Sequence, residues 1–267
     1  MHNISLRPNR GISPWRKSAV ATWRTAADPS VYGSLLIHAD PLLVLVDQYR
    51  QRGIRLTLTH IVTKAIAIAL HQVPEINAVL RWGGLSFRKE VNIFLQAATD
   101  DQGEDLSGFV IYNADQKSLE EIARETQTKA ALVKSKKDPS FKRMKMMFKI
   151  MPPWLIRIFM KLTSFLTYDL NINAKYLGLP RDPMGSAMVT SVGMLGLQEG
   201  FAPLVPYSRV PLLLMLGQVI DQPIVKDGQV VAAKVFSLCC TFDHRVADGI
   251  HMSRAVNVLK KYLSNPY

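Results

Sequence analysis

The sequence predicts one α/β domain with an embellishment between about residues 130 and 180. Three observations carry that prediction. Apolar residues at Leu58, Ile61, Val62, Ala65, Ile66, Ala69, Leu70 and Val73 recur at helical spacing and form one buried stripe. A long apolar run, Gln229–Phe242, follows the turn signal Lys226-Asp227-Gly228 and reads as a strand. A second amphipathic helix closes the chain, with Met252, Ala255, Val256, Leu259, Tyr262 and Leu263 on its stripe. The composition agrees. Of 267 residues, 48% are apolar and 20% charged, which excludes wholesale disorder and is ample for a core.

The elements follow in order. Residues 1–30 are polar and basic, with Pro8, Pro14 and Pro29, and read as an arm with a helix around Trp15–Thr25. Val31–Ala39 suits a strand, and Pro41–Arg52 a helix that ends at Gly53. The striped helix Leu58–Val73 is stopped by Pro74. Val79–Leu80, Leu85–Phe87, Val91–Ala97 and Phe109–Tyr112 read as short strands. Leu119–Lys129 is a helix with acids early and lysine late, matching the macrodipole. Val189–Val192 and Val210–Val219 precede the long strand, and the last helix runs from about Asp248 to Leu263.

Charge is the second feature. The chain carries 33 Lys+Arg against 21 Asp+Glu, a net +12. Ten of those basic residues lie between Lys129 and Lys161, with Asp138 the one acid among them. That stretch is +9 and the remainder only +3, so the charge calls for a local partner rather than a diffuse nucleic-acid surface. Met144–Tyr168 is otherwise apolar. Arg157, Lys161 and Ser164 make a narrow polar stripe on a helix that follows Pro152-Pro153 and is too short to span a bilayer. It reads either as a helical hairpin packed on the same domain or on a trimer neighbour with snorkelling lysines, or as an anchor on an anionic membrane surface through 140–168 or a lid that admits a lipid-like acyl chain. Nucleic acid is disfavoured, because aromatic stacking platforms among the lysines are sparse. The adjacent Cys239 and Cys240 point to opposite faces of a strand and form no disulfide framework. No spacing suggests a metal site. The start has no secretory apolar region, so a cytoplasmic location is the default.

The chemistry concentrates at the end of the long strand, Cys240-Thr241-Phe242-Asp243-His244-Arg245-Val246-Ala247-Asp248-Gly249. A strand that delivers a histidine to a loop presents a base rigidly, and a neutral imidazole can take a proton from a thiol or hydroxyl. Asp248 can fix the loop, and Gly249 allows close approach of backbone. The same text matches the HxxxDG signature. Thr241–Gly249 resembles the acyltransferase component of 2-oxo acid dehydrogenase complexes. So do Gly53-Ile54-Arg55-Leu56-Thr57, Pro74–Leu80, Asn113–Leu119, Val189–Gly193 and Phe201–Val205. Gly249-Ile250-His251-Met252 is also similar to chloramphenicol acetyltransferase. The resemblance covers roughly residues 15–126 and 184–266.

The resemblance implies a chloramphenicol acetyltransferase-like fold, a mixed sheet flanked by helices, with the basic helical segment as an insertion. It implies a CoA-dependent acyltransferase with acyl-CoA as co-substrate. His244 takes the place of the general base, and Asp248 that of the residue holding its loop. Arg16 is a candidate partner for Asp248. Thr190 matches the oxyanion-stabilising hydroxyl, with Ser191 as the alternative donor. Ser191, Gly249 and Arg16 are the candidate CoA contacts. Sites are implied at the subunit interfaces of a homotrimer, with His244 of one chain facing Thr190 of the next. His60 and His71 are expected to be solvated or at the rim, His38 to border the channel, and His251 to be structural.

The chain shows no lipoyl or peripheral-subunit-binding domain, and its short tail lacks the apolar residues that would hook trimers together. The leading expectation is therefore a stand-alone transferase, with a thiol, hydroxyl or amine acceptor that is hydrophobic or membrane-borne. The runners-up are acyl transfer on dihydrolipoyl groups borne by a separate protein, and a non-catalytic trimeric scaffold.

Overall fold

The computed structural model describes residues 3–7, 13, 28–98, 106–134, 151–173, 181–226 and 228–266. The expected helix at Trp15–Thr25 and Arg16 lie outside the described residues, as do residues 135–150 of the basic segment.

A short strand β1 (Leu6–Arg7) pairs with β4 (Gly84–Arg88), which pairs with β3 (Ala78–Arg81), giving a three-stranded antiparallel sheet. The main sheet runs in the order β2 (Ser30–His38), β10 (Gln229–Asp243), β8 (Leu212–Leu216), β7 (Ala187–Ser191), β5 (Ile93–Ala98) and β6 (Leu106–Ile111). The β8–β7–β5 pairs are parallel and the others antiparallel, so the sheet is mixed, as expected. The far half of β10 pairs with β9 (Ile220–Lys226).

Helices α1 (Asp40–Gln51) and α2 (Leu58–Gln72) come before the basic segment, α3 (Leu119–Lys134) runs into its start, α4 (Pro153–Ser164) reaches into its end, and α5 (Gly249–Ser264) closes the chain. The start of α2 is a capping box. Thr57 Oγ1 accepts from His60 N, and His60 Nδ1 accepts from Thr57 N. The core lies between α2 and α5 and one sheet face. Ile61, Ala65 and Leu70 meet Ala255, Leu259 and Leu263 over Val189, Leu214, Phe236 and Leu238. The opposite face, with Met188 and Leu213, is covered by the 202–210 connection through Leu204 and Val210.

Three expectations need correction. His60 is not at the rim: it is only 5% exposed. Helix α2 contacts the sheet and α1, α3 and α5 together, so even residues off its main stripe are enclosed. Val210–Val219 is not one strand. The chain leaves β8 at Gly217, whose added Cβ would lie 1.8 Å from Gln198 O, and resumes as β9, which the sequence reading missed. Pro223 masks β9. It is tolerated because, among the described residues, β9 pairs only with β10. Last, Ser164 is buried and does not extend the polar stripe of α4.

Candidate active site

The register places His244. β10 is hydrogen-bonded on both flanks to its end: Asp243 N donates to Pro211 O and His244 N to Pro29 O, both at 2.9 Å. The backbone carrying the histidine is thus held from both neighbouring strands. The turn beyond it is clipped by Asp243, which is buried. Its carbonyl accepts from Val246 N and Ala247 N. Its carboxylate accepts from Arg245 N at 2.9 Å, from Arg245 Nε at 3.0 Å and from Arg245 Nη2 at 2.8 Å. Val246 anchors the turn among Ala78 and Leu85 of the small sheet, and Ala247 enters the main core. His244 and Arg245 are left half-buried at the surface of a rigid turn.

Asp248 is the N-cap of α5. Its backbone is extended, its carboxylate accepts from His251 N at 3.3 Å, and it pairs with the His251 imidazole. The structural reading of His251 fits this geometry. Gly249 begins α5 in the open: a Cβ there would meet nothing within 4 Å. Nothing in the described fold crowds this position, so space remains for an incoming group.

Thr190 and Ser191 end β7. Thr190 is half-buried and Ser191 exposed. The chain then folds back tightly. Val192 N donates to Leu216 O at 2.9 Å and Gln218 N to Leu197 O at 2.8 Å. A Cβ on Gly193 would come within 2.9 Å of Gly217 O, so this turn needs glycine.

The fold does not bring Thr190 and His244 together within one chain. Thr190 pairs with Met215, and Met215 with Cys239. Cys239 lies five residues before His244, about 17 Å at strand rise. The two candidate groups therefore occupy opposite ends of the sheet.

The remaining candidates are quickly placed. His71 is exposed and pairs with Asp115 at 3.0 Å, while His38 is exposed and bonds Asp40 at 2.8 Å. Both cysteines on β10 are free thiols. Desolvation raises both, Cys240 to about 12, which keeps Cys240 protonated at neutral pH. Among the described residues no group of three or more His, Cys, Asp or Glu could hold a metal ion. Sequence reasoning missed the Asp243–Arg245 clip. The signal was available, since two opposite charges flank the histidine where an apolar strand ends.

A family profile described as the catalytic domain of 2-oxoacid dehydrogenases acyltransferase matches residues 11–141 and 180–267. The chain belongs to this acyltransferase family. The match includes the Thr190 strand, the His244 turn and α5, and it omits residues 142–179. The dihydrolipoyllysine-residue acetyltransferase component of pyruvate dehydrogenase complex from Staphylococcus aureus is 28% identical over 220 residues, 81% of this chain and 40% of the relative. The chain thus spans about two-fifths of the length of the curated relatives it matches. A probable dihydrolipoamide acetyltransferase from Listeria monocytogenes superposes with a TM-score of 0.65 at 18% identity, covering 97% of this chain and 94% of that one. Chloramphenicol acetyltransferase superposes with a TM-score of 0.50 at 12% identity, covering 93% and 94%. The acyltransferase fold of the family is therefore that of chloramphenicol acetyltransferase, as the motifs implied.

Proposed function

We propose that this chain transfers an acyl group between CoA and the thiol of a dihydrolipoyl group, with His244 as general base. The family match over both the Thr190 strand and the His244 turn carries this reading. The names of the curated relatives favour dihydrolipoyl as the acceptor over the hydrophobic or membrane-borne acceptor that the insertion first suggested.

The proposed chemistry is a thiol–thioester exchange. His244 takes the proton from the acceptor thiol, and the thiolate attacks the thioester carbonyl of acyl-CoA. The tetrahedral oxyanion accepts a hydrogen bond from the Thr190 hydroxyl, with Ser191 as the alternative donor. Collapse expels the CoA thiolate, which takes the proton back from the imidazolium, so the histidine ends neutral. The roughly 17 Å between Thr190 and His244 along the sheet supports a site shared by two copies, as in the expected homotrimer. Open space at Gly249 and exposure at Ser191 suit them as CoA contacts.

The test is acetyl transfer from acetyl-CoA to free dihydrolipoamide, followed by product formation and CoA release. His244→Ala is expected to lower kcat by roughly 10²–10⁴, the usual worth of a general base. A variant that turns over as fast as the parent overturns the assignment.

A further inference from the structure

The segment that the family profile omits builds an exposed apolar surface. The inward side of α4 is half-buried through Leu155, Ile156, Phe159 and Met160. Its outward side is apolar. Trp154 is 63% exposed, Ile158 53% and Leu162 53%, and they recur every fourth residue toward exposed Phe165. Arg157 and Lys161 are exposed on the same outward side.

A second element completes the patch. Trp82, on the turn between β3 and β4, is 65% exposed and meets the Phe165 ring edge-on at 5.6 Å. It is held there in a left-handed conformation, φ 49°, by Asp169. Trp82 N donates to Asp169 Oδ1 at 3.1 Å and its indole Nε1 to Asp169 O at 2.7 Å. The buried Asp169 is itself paired with Arg209 at 2.6 Å. The fold thus holds an apolar ring in solvent through a part-buried ion pair and an unfavourable φ.

We propose that this face docks on an anionic lipid bilayer, with α4 lying flat in the interface. Trp154, Ile158, Leu162, Phe165 and Trp82 would enter the headgroup–acyl boundary while Arg157 and Lys161 hold anionic headgroups. Charge selects this occupant. Residues 142–179 carry seven basic side chains and one acid, Asp169, which is buried and already neutralised. A second copy docked face to face about a two-fold axis would set Arg157 and Lys161 against their own counterparts with no acid to answer them, and a head-to-tail contact within a trimer is the outcome that the elution volumes below read. Nucleic acid would meet the cations but leave the aliphatic side chains uncovered. Spanning is excluded for α4: twelve residues are about 18 Å long against a core of about 30 Å.

The full chain is tested by co-sedimentation with vesicles of phosphatidylcholine alone and with added phosphatidylglycerol. We expect binding to the anionic vesicles to exceed that to neutral ones roughly tenfold or more and to weaken with salt. The triple variant Trp154→Ser/Ile158→Ser/Leu162→Ser, and separately Arg157→Glu/Lys161→Glu, should each lose roughly tenfold of that binding. Both should turn over free dihydrolipoamide at the parent rate and elute at the parent volume. Equal binding of the parent to both vesicles, or no binding, overturns the proposal. So does a triple variant that binds as the parent does, since charge elsewhere in the chain would then be the attachment. A shift in elution volume for either variant also overturns it and marks the face as a contact between copies. The acyltransferase reading stands or falls separately, on His244→Ala.

Discussion

His60 shows how one residue can carry a pH dependence the sequence does not announce. It sits in the first turn of α2, and burial pushes its pKa down from 6.5 to about 4. The folded state therefore holds it neutral, with Nδ1 accepting from Thr57 N. Between pH 6.5 and 4 the unfolded chain binds a proton there that the folded chain refuses. Stability falls as pH drops through that window, by about 3 kcal/mol in all, and levels off below it. Urea unfolding at pH 7 and pH 4.5 checks this. His60→Gln keeps an acceptor at the third helical position and should remove that part of the pH dependence, while His71→Gln, exposed on the same helix, should leave it intact. Periodicity misplaced His60 because a stripe reports the face toward one partner, whereas α2 is enclosed by several. The same one-dimensional reading placed His244 at a strand end before a helix, which is local information, while the role of base came from the family resemblance. It missed the clip by Asp243 and Arg245, since a neighbour's role depends on how the turn closes.

At the scale of elements, legibility followed the strength of local signals. β10, α2 and α5 were readable in full, since each combines a long periodic run with a marked start or stop: the Lys226–Gly228 turn, Thr57 and Pro74, and Asp248. β1 and β9 were not. A two-residue strand has no pattern, and Pro223 contradicts the one β9 has. The insertion was readable as apolar and basic, but which face of α4 turns outward depends on Asp169, Trp82 and Arg209, which come together only in three dimensions. The N-cap of α5 is where an element meets the proposed site. Asp248→Ala removes the acceptor for His251 N and the His251 pairing, and should cost about 1–2 kcal/mol in thermal or urea unfolding. Because Asp248, the cap of α5, lies four residues after His244, kcat should fall as well, with KM for CoA changing less. Asp248→Asn retains a capping oxygen and should restore most of the stability. If Asp248→Ala unfolds like the parent, the cap is not what sets the start of α5.

At the scale of the whole molecule, the sheet sets the terms on which catalysis can occur. Thr190 ends β7 at the edge where β8 finishes, while His244 ends β10 at the edge where β8 begins. No rearrangement of side chains closes a separation of about 17 Å within one chain. A site using both groups therefore takes His244 from one copy and Thr190 from another. Two inactive variants should then rescue each other. His244→Ala retains Thr190, and Thr190→Val, which keeps the side-chain shape and removes the hydroxyl, retains His244. Alone, the first should lose roughly 10²–10⁴ and the second roughly 10²–10³ in kcat. Co-expressed in equal amounts and assorting at random into closed symmetric rings, they should regain about a quarter of the parental activity, since each variant then supplies the residue its neighbour lacks. If Thr190→Val is as active as the parent, Ser191→Ala takes its place in the mixture, as the other donor at the end of β7. Activity in the mixture no greater than the average of the two variants measured separately would show that the histidine works with groups of its own chain, and the shared site would be lost.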